Sequence, residues 1–198
     1  REPGTIDYYR STELLTNKRL EAWKRLLEQR HKWLKERGIY YLFIIVPNKN
    51  TIYPEFMPER IKRRNTRSRL DQLRHYLETH SDVPFIDLRP ALLEAKKQRR
   101  IYSITDSHWN DFGAFIAYRE IVNYFSRFFD GTQPLPIDRF KIYDKNEAGG
   151  DLAQMLLIHK EIMRENKVKM KAEPPLTAKI GRKVRVKRHF VTTKATRC

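Results

Sequence analysis

Asp106 and His108 stand one residue apart in the stretch SITDSHWNDFGAFIAYREIV (103–122), with Trp109 directly behind them. In extended backbone, side chains two positions apart project to the same side, so the carboxylate and the imidazole share a face while Ser107 points away. A carboxylate that accepts a hydrogen bond from one ring nitrogen fixes the tautomer and leaves the other nitrogen basic. That is the acid and base half of a catalytic triad. The residues alone leave two other readings open. His108 can be a surface histidine beside a turn-forming aspartate, or the two can be a metal pair, although no other convincing ligand pair accompanies them. A second polar cluster, PNKNTIYP (47–54), follows the most apolar stretch of the chain.

Both clusters need elements to position them. Thr16 caps a predicted helix running to about Arg37, in which Leu20, Trp23, Leu27 and Leu34 recur at helical spacing and Gly38 supplies the stop. IYYLFIIV (39–46) is a continuous apolar run closed by Pro47, which reads as a strand covered on both faces, as in a parallel sheet. A basic helix over about 66–79 leads to a short strand VPFIDL (83–88), then to a helix at 90–98 and a weaker strand IYSI (101–104). An aromatic helix with Phe112, Phe115, Ile116, Val122, Phe125 and Phe129 follows, with Asn110 as its cap. The alternation of strand and helix predicts an α/β fold with a mainly parallel sheet. Both polar clusters then fall beyond the carboxyl ends of strands, where open α/β sheets carry their chemistry. After Gly149-Gly150 the pattern degrades into a helical piece at 151–165, a Pro174-Pro175 turn and an alternating KVRVKRHFV (183–191) that reads as an exposed strand.

The composition, 198 residues with 40% hydrophobic and 12% aromatic side chains, can bury one core, so a single domain over 1–198 is expected. No run of about eighteen apolar residues spans a membrane. The chain opens on Arg1 with no leader pattern, so the compartment is not read from its N-terminus, and a mature product or fragment is expected. Its one cysteine, Cys198, excludes internal disulfides and cysteine metal clusters. Lys and Arg number 41 against 24 Asp and Glu, a formal charge of +17 that favours polyanionic partners. Local clusters sit at 59–69 and 96–100, and the part from Lys160 holds thirteen basic residues against three acidic.

Three motifs in order, VPNKNTIYP, TDSHW and GDLA, together with the WL…GIYYLFII run before them, resemble the AlgX/AlgJ family of alginate O-acetyltransferases. The resemblance covers about 5–156 and leaves 157–198 as a basic, weakly matched part. It implies a three-layer α/β/α domain like that of SGNH hydrolases, with Asp106 and His108 in the positions of the catalytic acid and base. It also implies a nucleophilic serine in an Asp-Ser-Phe or Asp-Ser-Tyr block downstream of them. The serines here are Ser11, Ser68, Ser81, Ser103, Ser107 and Ser126, and all precede that place. Ser107 lies between acid and base and should face away from the imidazole. The chain is therefore expected to be incomplete at both ends, to lack the nucleophile and to be inactive alone.

The implied reaction is acetyl transfer: His108 deprotonates the serine, an acetyl-enzyme forms, and a sugar hydroxyl activated by the same histidine takes the acetyl group. SGNH enzymes draw oxyanion donors from backbone amides and an asparagine, which makes Asn48 a candidate by position; its other reading is a turn residue after Pro47. Lys49 reads as a steering group for an anionic sugar or as a solvated cation. Tyr53 and Trp109 read as platforms for a pyranose ring or as core aromatics. Asp151 reads as the cap of the helix behind it. No cofactor or metal is expected. The implied partners are an anionic polysaccharide acceptor and a membrane-bound O-acyltransferase as acetyl donor, outside the cytoplasm. The basic part beyond 157 also suits peripheral contact with anionic lipid. The competing class is a non-catalytic polyanion binder; nucleic acid is its weaker form, since no helix-turn-helix, zinc-finger or RNP signature appears.

Overall fold

The computed structural model describes residues 4–158 and 162–173. The turn at Pro174-Pro175 and the alternating stretch 183–191 lie outside the described residues. After a short helix α1 (Thr5–Arg10), helix α2 (Asn17–Lys35) begins where the Thr16 side chain accepts a hydrogen bond from the Arg19 amide. Strand β1 (Phe43–Ile45) leads through Pro47 into a single-turn helix α3 (Lys49–Ile52). Helix α4 (Arg69–His80) opens on a capping box in which Ser68 and Asp71 satisfy each other's backbone amides. Strand β2 (Phe85–Asp87) pairs with β1 in parallel, register Phe43 to Phe85, and leads into helix α5 (Arg89–Ala95).

The pleat of this ribbon sends alternate side chains to two cores. Phe43 and Phe85 pack with Leu20 and Leu27 of α2 and with Leu73 and Leu77 of α4. Ile44 and Ile86 face Leu88, Leu92, Ile101 and Phe112, the last on helix α6 (Asp111–Phe125). Helices thus lie on both faces of the strands, which is the α/β/α layering. Leu27, Leu77, Leu88 and Leu92 are fully buried, each contributing about 2 kcal/mol through apolar area removed from water.

Three expectations from the sequence are corrected. The apolar run 39–46 is a strand only at 43–45, and its ends are half exposed: Tyr40 stacks on Phe128 and Phe129 beyond the end of α6 instead of entering the sheet. IYSI forms a single bridge, Tyr102 to Trp109, because the chain turns back on itself there. The longest ladder belongs to a separate two-stranded antiparallel sheet that stands beside the parallel β1–β2 pair: strands β3 (Phe140–Ala148) and β4 (Arg164–Ala172) pair along nine residues each. Between them the expected helix at 151–165 stops as α7 (Asp151–Met155). Charged residues fill both strands, so the period-2 apolar signal is confined to Phe140, Ile142, Val168 and Met170. Val168 and Met170 nonetheless join the core beside α6, and the Met170 amide donates to Asp111.

Candidate active site

The loop 104–108 is seated on the turn 149–153. The Thr105 carbonyl accepts from the amides of Leu152 and Ala153, and the Thr105 hydroxyl accepts from the Gly150 amide at 2.9 Å. Glu165 of β4, buried, takes the Ile104 amide at 2.6 Å, the Thr105 amide at 3.1 Å and the Thr105 hydroxyl. Two adjacent glycines make this seat possible. A side chain at Gly150 would overlap the Asp106 carboxylate, and one at Gly149 would meet Ala153 and the Met163 carbonyl. Downstream, Asn110 caps α6 by accepting from the Gly113 amide at 3.0 Å while donating to the Arg100 carbonyl. Asp106 and His108 therefore hang between a seated loop and a capped helix.

Asp106 Oδ1 accepts from the His108 amide at 2.9 Å and lies 2.7 Å from Nδ1. A ring nitrogen that close to a carboxylate carries the proton, which leaves Nε2 as the basic nitrogen. The imidazole is 77% exposed, so Nε2 is open to a reactant. Partial burial pushes the Asp106 carboxyl up, but the His108 amide and ring, with the neighbouring Asp151, outweigh it and hold the group below its usual value. The Asp106 hydrogen bond and charge hold His108 above its usual value.

Asp151 departs from the expected cap. Gly150 occupies the cap position, with no side-chain cap bond, and Asp151 begins the helix. Its carboxylate is drawn instead to the Ser107 amide, at 2.6 Å, and to the Ser107 hydroxyl, and Oδ2 stands 3.5 Å from His108 Nδ1. Ser107 is exposed and turned to Asp151, and no described serine hydroxyl bonds the imidazole. Asp106, His108 and Asp151 offer atoms within 4.8 Å of one another, close enough to hold a cation. To do so the imidazole would have to surrender the Nδ1 proton that now binds Asp106.

The second cluster meets the first through Lys49. Its ammonium donates to the carbonyls of Ser103, Ile104 and Asp106 at 2.6, 2.8 and 2.9 Å, so it ties two loops together and is not a free steering cation. Burial holds its pKa below the usual lysine value, against the attraction of Glu165, Asp106 and Asp151. Tyr102, pushed up to about 12 by burial, donates to the Pro47 carbonyl at 2.8 Å and adds a second tie. Asn48 precedes α3 with an exposed side chain that makes no cap bond. Tyr53 accepts the Ile101 amide at 3.1 Å and packs edge-on to Tyr102, and Trp109 packs against the same core, so both serve as framework aromatics. Sequence reasoning missed Glu165 altogether, since sixty residues separate it from Thr105. The paired glycines before Asp151 were the one signal of a close approach there.

A family model described as SGNH hydrolase-like domain, acetyltransferase AlgX, matches residues 8–179. The fold is similar to that of the O-acetyltransferase domain of Pseudomonas putida AlgJ, at 21% identity and a TM-score of 0.53 over 83% of this chain and 59% of that one. It is also similar to Bacillus cereus PatB1, at 16% identity and a TM-score of 0.54 over 77% of this chain and 51% of that one. PatB1 with a sulfonyl adduct aligns at 18% identity and a TM-score of 0.53, covering 78% of this chain and 50% of that one. The chain thus spans between half and three fifths of the length of these structures. No curated protein matches the sequence.

Proposed function

The chain belongs to the AlgX family of SGNH hydrolase-like acetyltransferase domains, and from that premise we propose that it carries the acid and base of a polysaccharide O-acetyltransferase working through a serine acetyl-enzyme. The observation that carries the reading is the Asp106–His108 pair: a carboxylate 2.7 Å from Nδ1 on an exposed imidazole. In the reaction, Nε2 takes the proton of a serine hydroxyl as its oxygen attacks an acetyl donor, and then returns that proton to the leaving group. The same nitrogen deprotonates a sugar hydroxyl, which attacks the acetyl-enzyme and releases the serine. Asp106 keeps the tautomer and stabilises the imidazolium that forms in each half. Asn48, whose amide is not engaged in capping, is the side-chain candidate for the oxyanion. The nucleophile is supplied by a serine outside residues 1–198. A sulfonyl adduct on the similar PatB1 fits an activated nucleophile in this fold.

The acceptor proposed is an anionic polysaccharide. A cleft of about 750 Å³ opens at the end of β1, where Tyr8, Tyr9, Arg19, Arg63 and Arg69 line a wall that reaches Asn48. Arg69 lies 4.4 Å over Tyr8 and Arg63 lies 5.4 Å over Tyr9, a pairing of flat rings and guanidinium groups suited to carboxylated sugars. The acetyl donor is a membrane-bound O-acyltransferase, and the working place is outside the cytoplasm. Among the described residues no helix is long and apolar enough to cross a membrane.

Hydrolysis of p-nitrophenyl acetate tests the reading. Residues 1–198 show no turnover above background, and a chain continuing through a serine block gains it. Burst release by residues 1–198 would refute an external nucleophile. The +17 charge favours the second reading, a polyanion binder without catalysis. Acetyl transfer to a uronate polymer by a chain continuing through a serine block separates the two, and retention on heparin, uronate polymer and duplex DNA at two salt concentrations shows which polyanion is held.

A further inference from the structure

We infer that Asp151 is a positioning residue of the same acid–base pair, pinning Ser107 so that the loop presents His108 with Nδ1 between two carboxylates and Nε2 outward. The inference rests on the acyl-transfer reading above and adds to it a group 44 residues downstream of Ser107, on α7.

Three observations carry it. First, both oxygens of Asp151 are spent on the single residue between acid and base: Oδ1 accepts the Ser107 amide at 2.6 Å and Oδ2 accepts the Ser107 hydroxyl. Fixing the middle residue of an Asp-Ser-His triplet fixes the bend at 107–108, in which the His108 amide donates to Asp106, and so the direction in which the two neighbours project. Second, Oδ2 also stands 3.5 Å from His108 Nδ1, on the side of the ring already faced by Asp106 at 2.7 Å. An imidazole with two anions at one nitrogen keeps its proton there, and rotating the ring by half a turn would lose both attractions. Third, the seat is built for this approach. Gly150 is bare where the Asp106 carboxylate passes, and the amides of Leu152 and Ala153 hold the Thr105 carbonyl in the turn that carries Asp151.

The charged groups around the ring are accounted for. The two carboxylates face Nδ1, and Lys49, which bonds the same loop, is turned to the carbonyls of Ser103, Ile104 and Asp106. An exposed histidine next to a single aspartate would wander among rotamers. The second carboxylate and the pinned serine remove that freedom, and a catalytic base is sensitive to displacements of about 1 Å.

The test is nitrogen NMR of the His108 ring in residues 1–198, which needs no activity, paired with acetyl-transfer kinetics in a chain that carries the nucleophile. The variants are Asp151→Asn, Ser107→Ala and Asp106→Asn, each with its melting temperature. In the wild-type chain the neutral ring is protonated on Nδ1. Asp151→Asn moves the His108 titration midpoint down, broadens the ring signals and lowers kcat by about 10- to 100-fold with KM little changed. Ser107→Ala keeps the charge and loses the hydroxyl bond, so it broadens the signals and lowers kcat less, with the midpoint nearly unmoved. An unchanged ring spectrum and unchanged kcat in Asp151→Asn, beside a large effect of Asp106→Asn, overturns the inference and leaves the acyl-transfer reading standing. If Asp106→Asn also leaves spectrum and kcat unchanged, the acid–base reading falls with it. A melting temperature lowered in Asp151→Asn with normal kcat per folded molecule would make Asp151 purely structural.

Discussion

At two places in the molecule a pair of aspartates converges on one basic side chain, and the two assemblies work in opposite ways. Arg89 at the start of α5 donates to Asp71 of α4 at 2.6 Å and to Asp87 of β2 at 2.6 and 2.8 Å, with its side chain only 15% exposed. His108 stands between Asp106 and Asp151 at 2.7 and 3.5 Å, with its side chain 77% exposed. The guanidinium holds its charge at every working pH, and its hydrogen bonds are directed inward to join two layers of the fold. The imidazole uses one nitrogen for the carboxylates and keeps the other free, and its charge changes near neutrality. The same count of charges therefore gives a rivet in one case and, in the proposed function, a base in the other, and the spare nitrogen with its access to solvent makes the difference.

The comparison breaks most visibly at the base. In a transfer-competent chain, Asp106→Asn lowers kcat by roughly 10³- to 10⁴-fold because the wrong tautomer meets the serine, while the melting temperature stays close to wild type. His108→Ala is as harmful, and the double variant is little worse than either, as for residues acting as one unit. A fall in activity that merely follows the folded fraction would refute the catalytic side of the contrast.

At the rivet the pattern reverses. Arg89→Ala strands two part-buried carboxylates and costs about 3 kcal/mol of stability, read as a lower urea midpoint. The ring spectrum of His108 in the folded fraction stays as it was. Gly150→Ala sharpens the contrast from the other side: its methyl group displaces the Asp106 carboxylate, so kcat falls by about 100-fold with a smaller loss of stability. Wild-type kcat in that variant would mean the loop is not held as described.

The smallest effect is that of pH on stability, and its sign differs between the two places. Partial burial raises the Asp71 carboxyl, but hydrogen bonds from Ser68 and Arg89 outweigh it and hold the group at about 2. A folded value below the unfolded one means that this contribution is complete above about pH 4 and is lost as pH falls toward 2. His108 is raised chiefly by its bond to Asp106, so its contribution is complete below the unfolded value near 6.5 and fades as pH rises through the folded one. Urea midpoints measured from pH 2 to pH 9 should fall at the acid end in wild type and less in an Asp71→Asn variant. A flat acid limb in wild type would count against the rivet.

How much of this could be read from the residues depends on how local the cause is. Thr16, Ser68 and Asn110 cap helices through bonds that span three residues, and the α2 and α6 boundaries follow from such spacing. Asp106 and His108, expected to share a face of extended backbone, do meet, but across a bend at 107–108 in which the His108 amide and ring both turn to the Asp106 carboxylate. Lys49 and Glu165 were not legible, because what they bind are carbonyls, amides and a hydroxyl more than fifty residues away. Asp151 was read as a cap because an aspartate after glycine at a helix start usually is one, and the competing donors on Ser107 lie 44 residues upstream. The β3–β4 ladder was hidden by its own charges: Lys145 and Lys169 both pair with Glu147 across the surface, where an apolar alternation would otherwise have shown.

The seat of the loop 104–108 is made largely of backbone amides, and this makes its opening a single event. The amides of Gly150, Leu152 and Ala153 are all closed by Thr105, and the Ser107 amide by Asp151. When the loop lifts, these four hydrogens are released to solvent together, so their protection against deuterium uptake should report one common opening free energy, larger than at the exposed turn after α6 and smaller than in the middle of α2. The equilibrium constant of that opening is the fraction of time the base is out of place. Turnover at Nε2 is scaled by the remaining fraction, in which the loop is seated.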